Sequence, residues 1–231
     1  MPFTLTAWKQ DSPATNPIVS TALAAHDVAI AWIVSDNTGT AVTWPSGFTE
    51  LANGQCFVDS QYVALAIKPD CSGSESALTI TTSSACVAGV LGIAGADNAA
   101  QPDVTTPAST VLAASTASPW SLAANSITPA TAGALLVAFM GSDMVTNPGA
   151  SSVSHAFADT GALTWTTRVN HDSGGFIRGA VGTAVQPAAA TTTVTGTGTL
   201  AANNAGANMI VLAIKPAAGV SPPALMGQII L

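Results

Sequence analysis

Val28–Asp36 reads VAIAWIVSD, and Ala134–Asp143 reads ALLVAFMGSD. The same sentence is written twice: an apolar run that stops at Ser-Asp. Neither run shows a helical period, and both fall far short of the roughly 20 apolar residues that cross a bilayer. Each therefore predicts a strand buried on both faces, and ACVAGVLGIAG and MIVLAIKP read the same way.

Away from these runs, strict alternation takes over. In GALTWTTRVN, Leu163, Trp165, Thr167 and Val169 share one face while Thr164, Thr166 and Arg168 share the other. ALTITTSS and TTTVTGTGTL continue the period-2 pattern in threonine, a residue that favours strands. Turn signals stand between the runs: SDNTGT, PSG, ANGQ, PDCSGS, TNPG, DSGG and ANNAG. Many short strands at regular spacing predict an all-β fold of antiparallel β-sandwich, jelly-roll-like modules.

The strand grammar on either side of residues 96–119 matches. VAIAWIVSD answers to ALLVAFMGSD, VALAIKP to GAVGTAVQP, ALTITTSS to TTTVTGTGT, and VLGIAGA to VLAIKPA. This register makes Ile80 equivalent to Val194 and predicts two sequence-related modules in tandem. The expected division is an N-terminal arm over 1–12, a first module over 13–98, a linker over 99–118, a second module over 119–218 and an apolar tail over 219–231. The pentapeptide LAIKP also occurs twice, at Leu65–Pro69 and Leu212–Pro216, but out of step with that register. Lys68 and Lys215 are therefore expected at the ends of non-equivalent strands, where each lysine reaches solvent and proline ends the ladder.

Charged residues make up 7% of the 231, with five Lys and Arg against twelve Asp and Glu, for a net charge of −7. Typical soluble domains carry roughly 25%. Five scattered cations cannot neutralise a row of phosphates, which excludes nucleic acid, and they give no hold on an anionic membrane. The opening MPFTLTAWKQDSP has neither a basic n-region nor a long apolar core, so no signal peptide is expected and synthesis is placed in the cytoplasm. Cys56, Cys71 and Cys86 are an odd set without a CxxC pair, neither a disulfide framework nor a zinc site; buried thiols are expected.

The strongest catalytic candidate is NHDSGGFIRG, residues 170–179, because Asp-Ser-Gly-Gly resembles the nucleophile loop of chymotrypsin-like serine proteases. Ser173 would be the nucleophile and His26 the base. His171, however, stands where that loop needs glycine, and no segment supplies the orienting acid. A hairpin turn is the expected role of HDSGG. His26, His155 and His171 lack metal-ligand spacing, and no catalytic residue, cofactor or metal is expected. Among the five tryptophans, Trp32 and Trp165 read as core, whereas Trp44 before Pro45 and Trp120 after Pro119 are loop candidates for stacking on a sugar.

VTWPSGFTEL, VALAIKPDCSGSESALTITTSSA and LGIAGADN, echoed in the second half, resemble β-sandwich virion structural proteins of tailed phages, of the head-decoration, head-fibre or tail-associated type. The pattern covers most of residues 13–218. That resemblance implies a non-enzymatic virion protein that decorates or cements the head by docking on the major capsid protein or other virion subunits, with a homo-oligomer expected. Phe3, Leu5 and Trp8 at one end and Ile229, Ile230 and Leu231 at the other are the expected assembly contacts, being apolar and outside the modules. The alternative is a virion fibre or tail adhesin that binds host glycans through Trp44 and Trp120; a trypsin-like protease ranks third.

Overall fold

The computed structural model describes residues 3–14, 16–20, 22–35, 40–56, 61–84, 86–104, 108–112, 119–122, 125–144, 154–172, 177–199 and 204–219. Every regular element among them is a strand. The first half holds β1 (Thr4–Ala14), β2 (Ile18–Ser20), β3 (Val28–Ser35), β4 (Val42–Thr43), β5 (Thr49–Cys56), β6 (Gln61–Lys68), β7 (Ala77–Thr79), β8 (Thr81–Thr82) and β9 (Cys86–Ala94). The second holds β10 (Ala108–Leu112), β11 (Trp120–Ser121), β12 (Asn125–Ile127), β13 (Ala134–Met144), β14 (Ser154–Asp159), β15 (Thr166–Asp172), β16 (Ile177–Gln186), β17 (Thr192–Thr199) and β18 (Asn204–Ile214).

Two five-stranded antiparallel sheets dominate, in the orders β1-β9-β3-β6-β5 and β10-β18-β13-β16-β15. The orders are the same, place for place. The smaller strands repeat the scheme: β2 pairs β7 and β4 pairs β8, while in the second half β12 and β14 both pair the single strand β17. Leu78 lies opposite buried Val19, and Thr192 opposite buried Ile127. Two residues further along, Ile80 and Val194 then occupy matching buried places, as the sequence register requires.

The packing explains the two apolar runs. Val28, Ile30, Trp32 and Val34 of β3 face Leu135, Val137 and Phe139 of β13 in a core between the large sheets. The opposite face of β3 (Ala29, Ala31, Ile33) packs under β2 and β7, and that of β13 (Leu136, Ala138, Met140) packs under β12, β14 and β17. The central strands are thus covered on both sides, which removes any call for polar alternation. The result is a stack of four layers. It departs from separate jelly-roll modules in tandem, because the largest core lies between the halves and belongs to both.

A small antiparallel clasp closes the join. Ala96 bridges Pro216, Asp97 N donates to Lys215 O at 2.9 Å, and Ala217 N donates to Gly95 O at 2.9 Å. Lys215 Nζ adds an ion pair to Asp97 Oδ2 at 3.0 Å. Its donors hold that carboxyl below the usual range, Lys215 first. Lys215 therefore ties one half to the other. Lys68, by contrast, ends β6 on the other flank of its central strand, opposite Ala29. The two LAIKP copies do stand on non-equivalent strands, flanking their central strands on different sides.

Four expectations are corrected here. Residues 1–12 are no arm: Thr4–Ala14 is edge strand β1, paired with β9 from Thr4↔Ala94 to Ala14↔Cys86. Phe3 and Leu5 pack against the inter-sheet core, so their apolar surface is partly spent inside this chain. The stretch 99–118 is more than a linker, since it contributes β10, whose backbone completes the second sheet against β18. Asn53-Gly54 of ANGQ lies inside β5, and Asn204–Gly206 of ANNAG inside β18; ladder pairing with long neighbours overrides the local turn preference. Ile229, Ile230 and Leu231 lie outside the described residues, as does the side chain of Trp8. Cys71 and Cys86 are buried thiols outside any disulfide.

Candidate functional site

Trp120 does not offer a sugar platform. It is 2% exposed, lies opposite Gly198 on β17, and meets the His155 ring edge-on at 6.0 Å. Gly198 leaves the room that its indole fills. Trp44 is half-buried, packed against the outer core of the first half, and its Nε1 donates to Glu50 Oε2 at 2.8 Å. His26 is exposed, with a positive φ of 67° that is rare for a residue with a side chain, and its Nδ1 lies 3.1 Å from Asp70 Oδ1. Asn98 Nδ2 donates to the same Asp70 oxygen at 3.1 Å. Ser173 and the His171 side chain lie outside the described residues. Of HDSGG itself only His171 and Asp172 fall within β15, and Asp172 is the register partner of Arg178 on β16.

A different serine–histidine pair emerges instead. Ser142 Oγ is 3.2 Å from His155 Nε2, and His155 Nδ1 is 2.8 Å from Asn170 Oδ1. With the amide oxygen accepting at Nδ1, the ring proton sits there and Nε2 accepts from the serine, the pairing order of a nucleophilic triad. Exposure runs the wrong way for that chemistry. Ser142 is 0% exposed and His155 3%, while Asn170, in the orienting place, faces solvent. A nucleophile must meet substrate; here it is the innermost group. The first half makes the same closure without histidine: Ser35 Oγ lies 2.9 Å from Thr40 Oγ1, both buried. Ser35 ends β3 and Ser142 holds the matching place near the end of β13, so the shared task is hydrogen-bond satisfaction of a buried serine toward the strand end.

The most developed polar surface array lies at the β6–β7 connection. Glu75 is its hub. It accepts from Lys68 Nζ at 2.5 Å, from Ser72 N and Ser72 Oγ at 3.0 Å each, and from Gly73 N at 3.0 Å. Ser72 Oγ and Ser74 Oγ are 2.6 Å apart. Facing this loop is the Pro45–Phe48 turn, closed by Phe48 N to Pro45 O at 3.1 Å, with Gly47 at φ +83°. A Cβ at Gly47 would stand 3.3 Å from Lys68 Cε and Nζ, so glycine serves both the turn and the lysine's approach. Between turn and loop lies a cleft of about 410 Å³, lined by Pro45, Ser46, Lys68, Ser74, Glu75 and Ser76 among others.

Burial pushes the Glu75 carboxyl up, but the bonds from Lys68 and Ser72 outweigh it and hold the group down at about 2 against an ordinary 4.5. A carboxylate with a lowered folded-state pKa contributes stability that is present above its unfolded value and lost as pH falls toward the folded one. The thermal midpoint of the wild type should therefore fall between about pH 4.5 and about pH 2. Glu75→Gln should start lower and lose less across that window. Parallel acid-induced loss in both proteins, followed by circular dichroism, would remove Glu75 from this role. Behind the loop, burial and then the Glu75 charge push the Cys71 thiol up to about 12, which keeps it an unreactive thiol.

Among the described residues, no three His, Cys, Asp or Glu side chains gather as a metal site. Family models, curated proteins and solved structures were each compared with the chain, and none matches. What the geometry defines is a class: an all-β, antiparallel stack of two topologically equivalent halves, with a polar cleft at the edge of the first half.

Proposed function

We propose that this chain is a non-enzymatic virion structural protein, a decoration subunit that docks on the major capsid lattice of a tailed bacteriophage. The observation that carries the reading is the chemistry of the two outermost layers. Around β17, the outward positions are Ser121, Ser126, Ser154, Ala156, Ala158 and the threonines at 193, 195, 197 and 199. Hydroxyls pair across the strands, Ser126 with Thr193 at 3.0 Å and Thr128 with Thr191 at 2.7 Å. On the far side of the stack, β2, β4, β7 and β8 turn outward Ile18, Ser20, Thr43, Ala77, Thr79 and Thr81. Neither face places a charged side chain at these positions.

Free soluble proteins commonly devote roughly a quarter to a third of their surface to charged residues. Short hydroxyl and methyl side chains lose little rotamer freedom on burial, and leave no charge to desolvate. Two such faces on opposite ends of one rigid stack suit a subunit that lies among others in a shell. Stable docking of that kind needs upwards of about 1,000 Å² of buried surface. The resemblance in Val42–Leu51, Val63–Ala85 and Leu91–Asn98 to phage decoration and head-fibre proteins points the same way.

Thr195→Lys together with Thr197→Lys tests the reading, because both positions face outward and leave the core alone. The doubly substituted chain should fold as the wild type does by circular dichroism, yet be recovered with particles at a small fraction of the wild-type level. Equal incorporation of both proteins would remove the β17 face as the docking surface.

A further inference from the structure

The geometry points to the cleft between the Pro45–Phe48 turn and the 69–76 loop as a binding site for neutral saccharide. It stands independently of where the molecule docks. Lys68 carries three N–H donors and gives one to Glu75, so donors remain for a ligand in the cleft. Ser46 and Ser76 are exposed, and among the described residues their hydroxyls bond to no other side chain or backbone group. The walls therefore offer both donors and acceptors at close spacing. They are also pre-set, because Glu75 fixes Lys68, Ser72 and Gly73 together. The volume, about 410 Å³, lies in the ordinary range for small-ligand sites of roughly 300–1,000 Å³.

Charge selects the ligand class. The Lys68–Glu75 pair is neutral as a unit: an anion would meet the Glu75 carboxylate, and a cation would meet the ammonium. An apolar guest would strand the Ser46 and Ser76 hydroxyls away from water without partners. A polyhydroxylated neutral molecule satisfies all of these groups, and saccharide is the biological class with that chemistry.

The second half supplies the control that nature has already made. Its equivalent connection, residues 187–191, reads PAAAT, with no lysine, glutamate or serine. There the strand ends in Gln186, whose Nε2 donates to Ala190 O at 3.0 Å, and the same fold closes without a polar array. The Lys68–Glu75–serine constellation is thus no requirement of the architecture. It is a feature added to one half.

The test uses the full chain on an array of short neutral gluco-, galacto- and manno-configured oligosaccharides beside sialylated and sulfated ones, with titration calorimetry on any that are retained. The wild type should retain at least one neutral saccharide. Ser76→Tyr, which fills the cleft from an exposed position, and Lys68→Met should each weaken it about tenfold or more. Gln186→Ala should bind as the wild type does. Retention of no neutral saccharide, retention of charged glycans alone, or undiminished binding by a folded Ser76→Tyr protein would each overturn the site. Particle incorporation of the same variants reads the docking proposal separately, since none of these positions lies on the β17 face.

Discussion

Gly89→Ala is expected to lower the free energy of unfolding by about 3 kcal/mol, an unusually large cost for one added methyl. Gly89 sits on β9 directly opposite Trp32 of β3. A Cβ there would fall well inside van der Waals contact with Trp32 Cε2, Nε1 and Cζ2. The indole has nowhere to retreat. On its other side a Cβ at Gly179, from the opposing sheet, would already stand 3.1 Å from Trp32 Cζ3. Trp32 is 1% exposed at the centre of the core that joins the halves, and its Nε1 finds no acceptor among the described residues.

That geometry makes a double-mutant cycle decisive. Trp32→Phe removes the atoms that a Gly89 Cβ would strike, together with a buried donor that costs on the order of 1–3 kcal/mol when unsatisfied. The lost packing and the removed penalty offset, so Trp32→Phe alone should stay within about 1 kcal/mol of the wild type. In its background the Gly89→Ala cost should fall by about half or more. Denaturant titration of the four proteins measures this. An equal Gly89→Ala cost in both backgrounds would mean that the clash lies elsewhere.

The second large effect is expected at Gly198→Ala, with a smaller cost of about 2 kcal/mol and a different signature. The device is the same, an indole over the glycine opposite it: Trp120 on β11 lies across from Gly198, whose added Cβ would collide with Trp120 Cζ2 and Cε2. The surroundings differ. Trp120 belongs to an outer layer and to a strand of two residues, which can swing away, whereas Trp32 is held between two five-stranded sheets. Relief should come by displacing Trp120 toward water and loosening its edge contact with His155. Iodide should therefore quench tryptophan emission more in Gly198→Ala than in the wild type, and no more in Gly89→Ala. The reverse pattern would contradict the layer assignment.

Both glycines show what the sequence could convey and what it could not. The runs at Val28–Asp36 and Ala134–Asp143 announced strands covered on both faces, because such short continuous apolarity bounded by turn signals suits a buried strand better than a helix. The equivalence of Ile80 with Val194 was legible too, since burial forces the threonine strands into one phase. Edge strands were not. TLTAWKQDSPA, with its charges and proline, pairs on one side only, so its side chains need follow no core pattern. The burial of Trp120 leaves no local mark for a related reason: Pro119 signals a loop, but the glycine that receives the indole lies far along the chain, at Gly198.

The polar sites divide in the same way. Ser142, His155 and Asn170 come together only because β13, β14 and β15 fold over one another, and their spacing carries no motif. The cleft beside Lys68 left a trace. LAIKPDCSGSES and its counterpart AVQPAAAT differ in their polar content at the same structural place, and a fold requirement would have kept them alike.

The claim that this chain serves in a virion is tested most directly by counting it there. Particles from producing cells, purified through a density gradient, should contain the chain at a fixed ratio to the most abundant shell subunit by quantitative mass spectrometry. A ratio that holds across preparations and compatible with shell symmetry is the predicted result. Absence of the chain from purified particles would contradict the account.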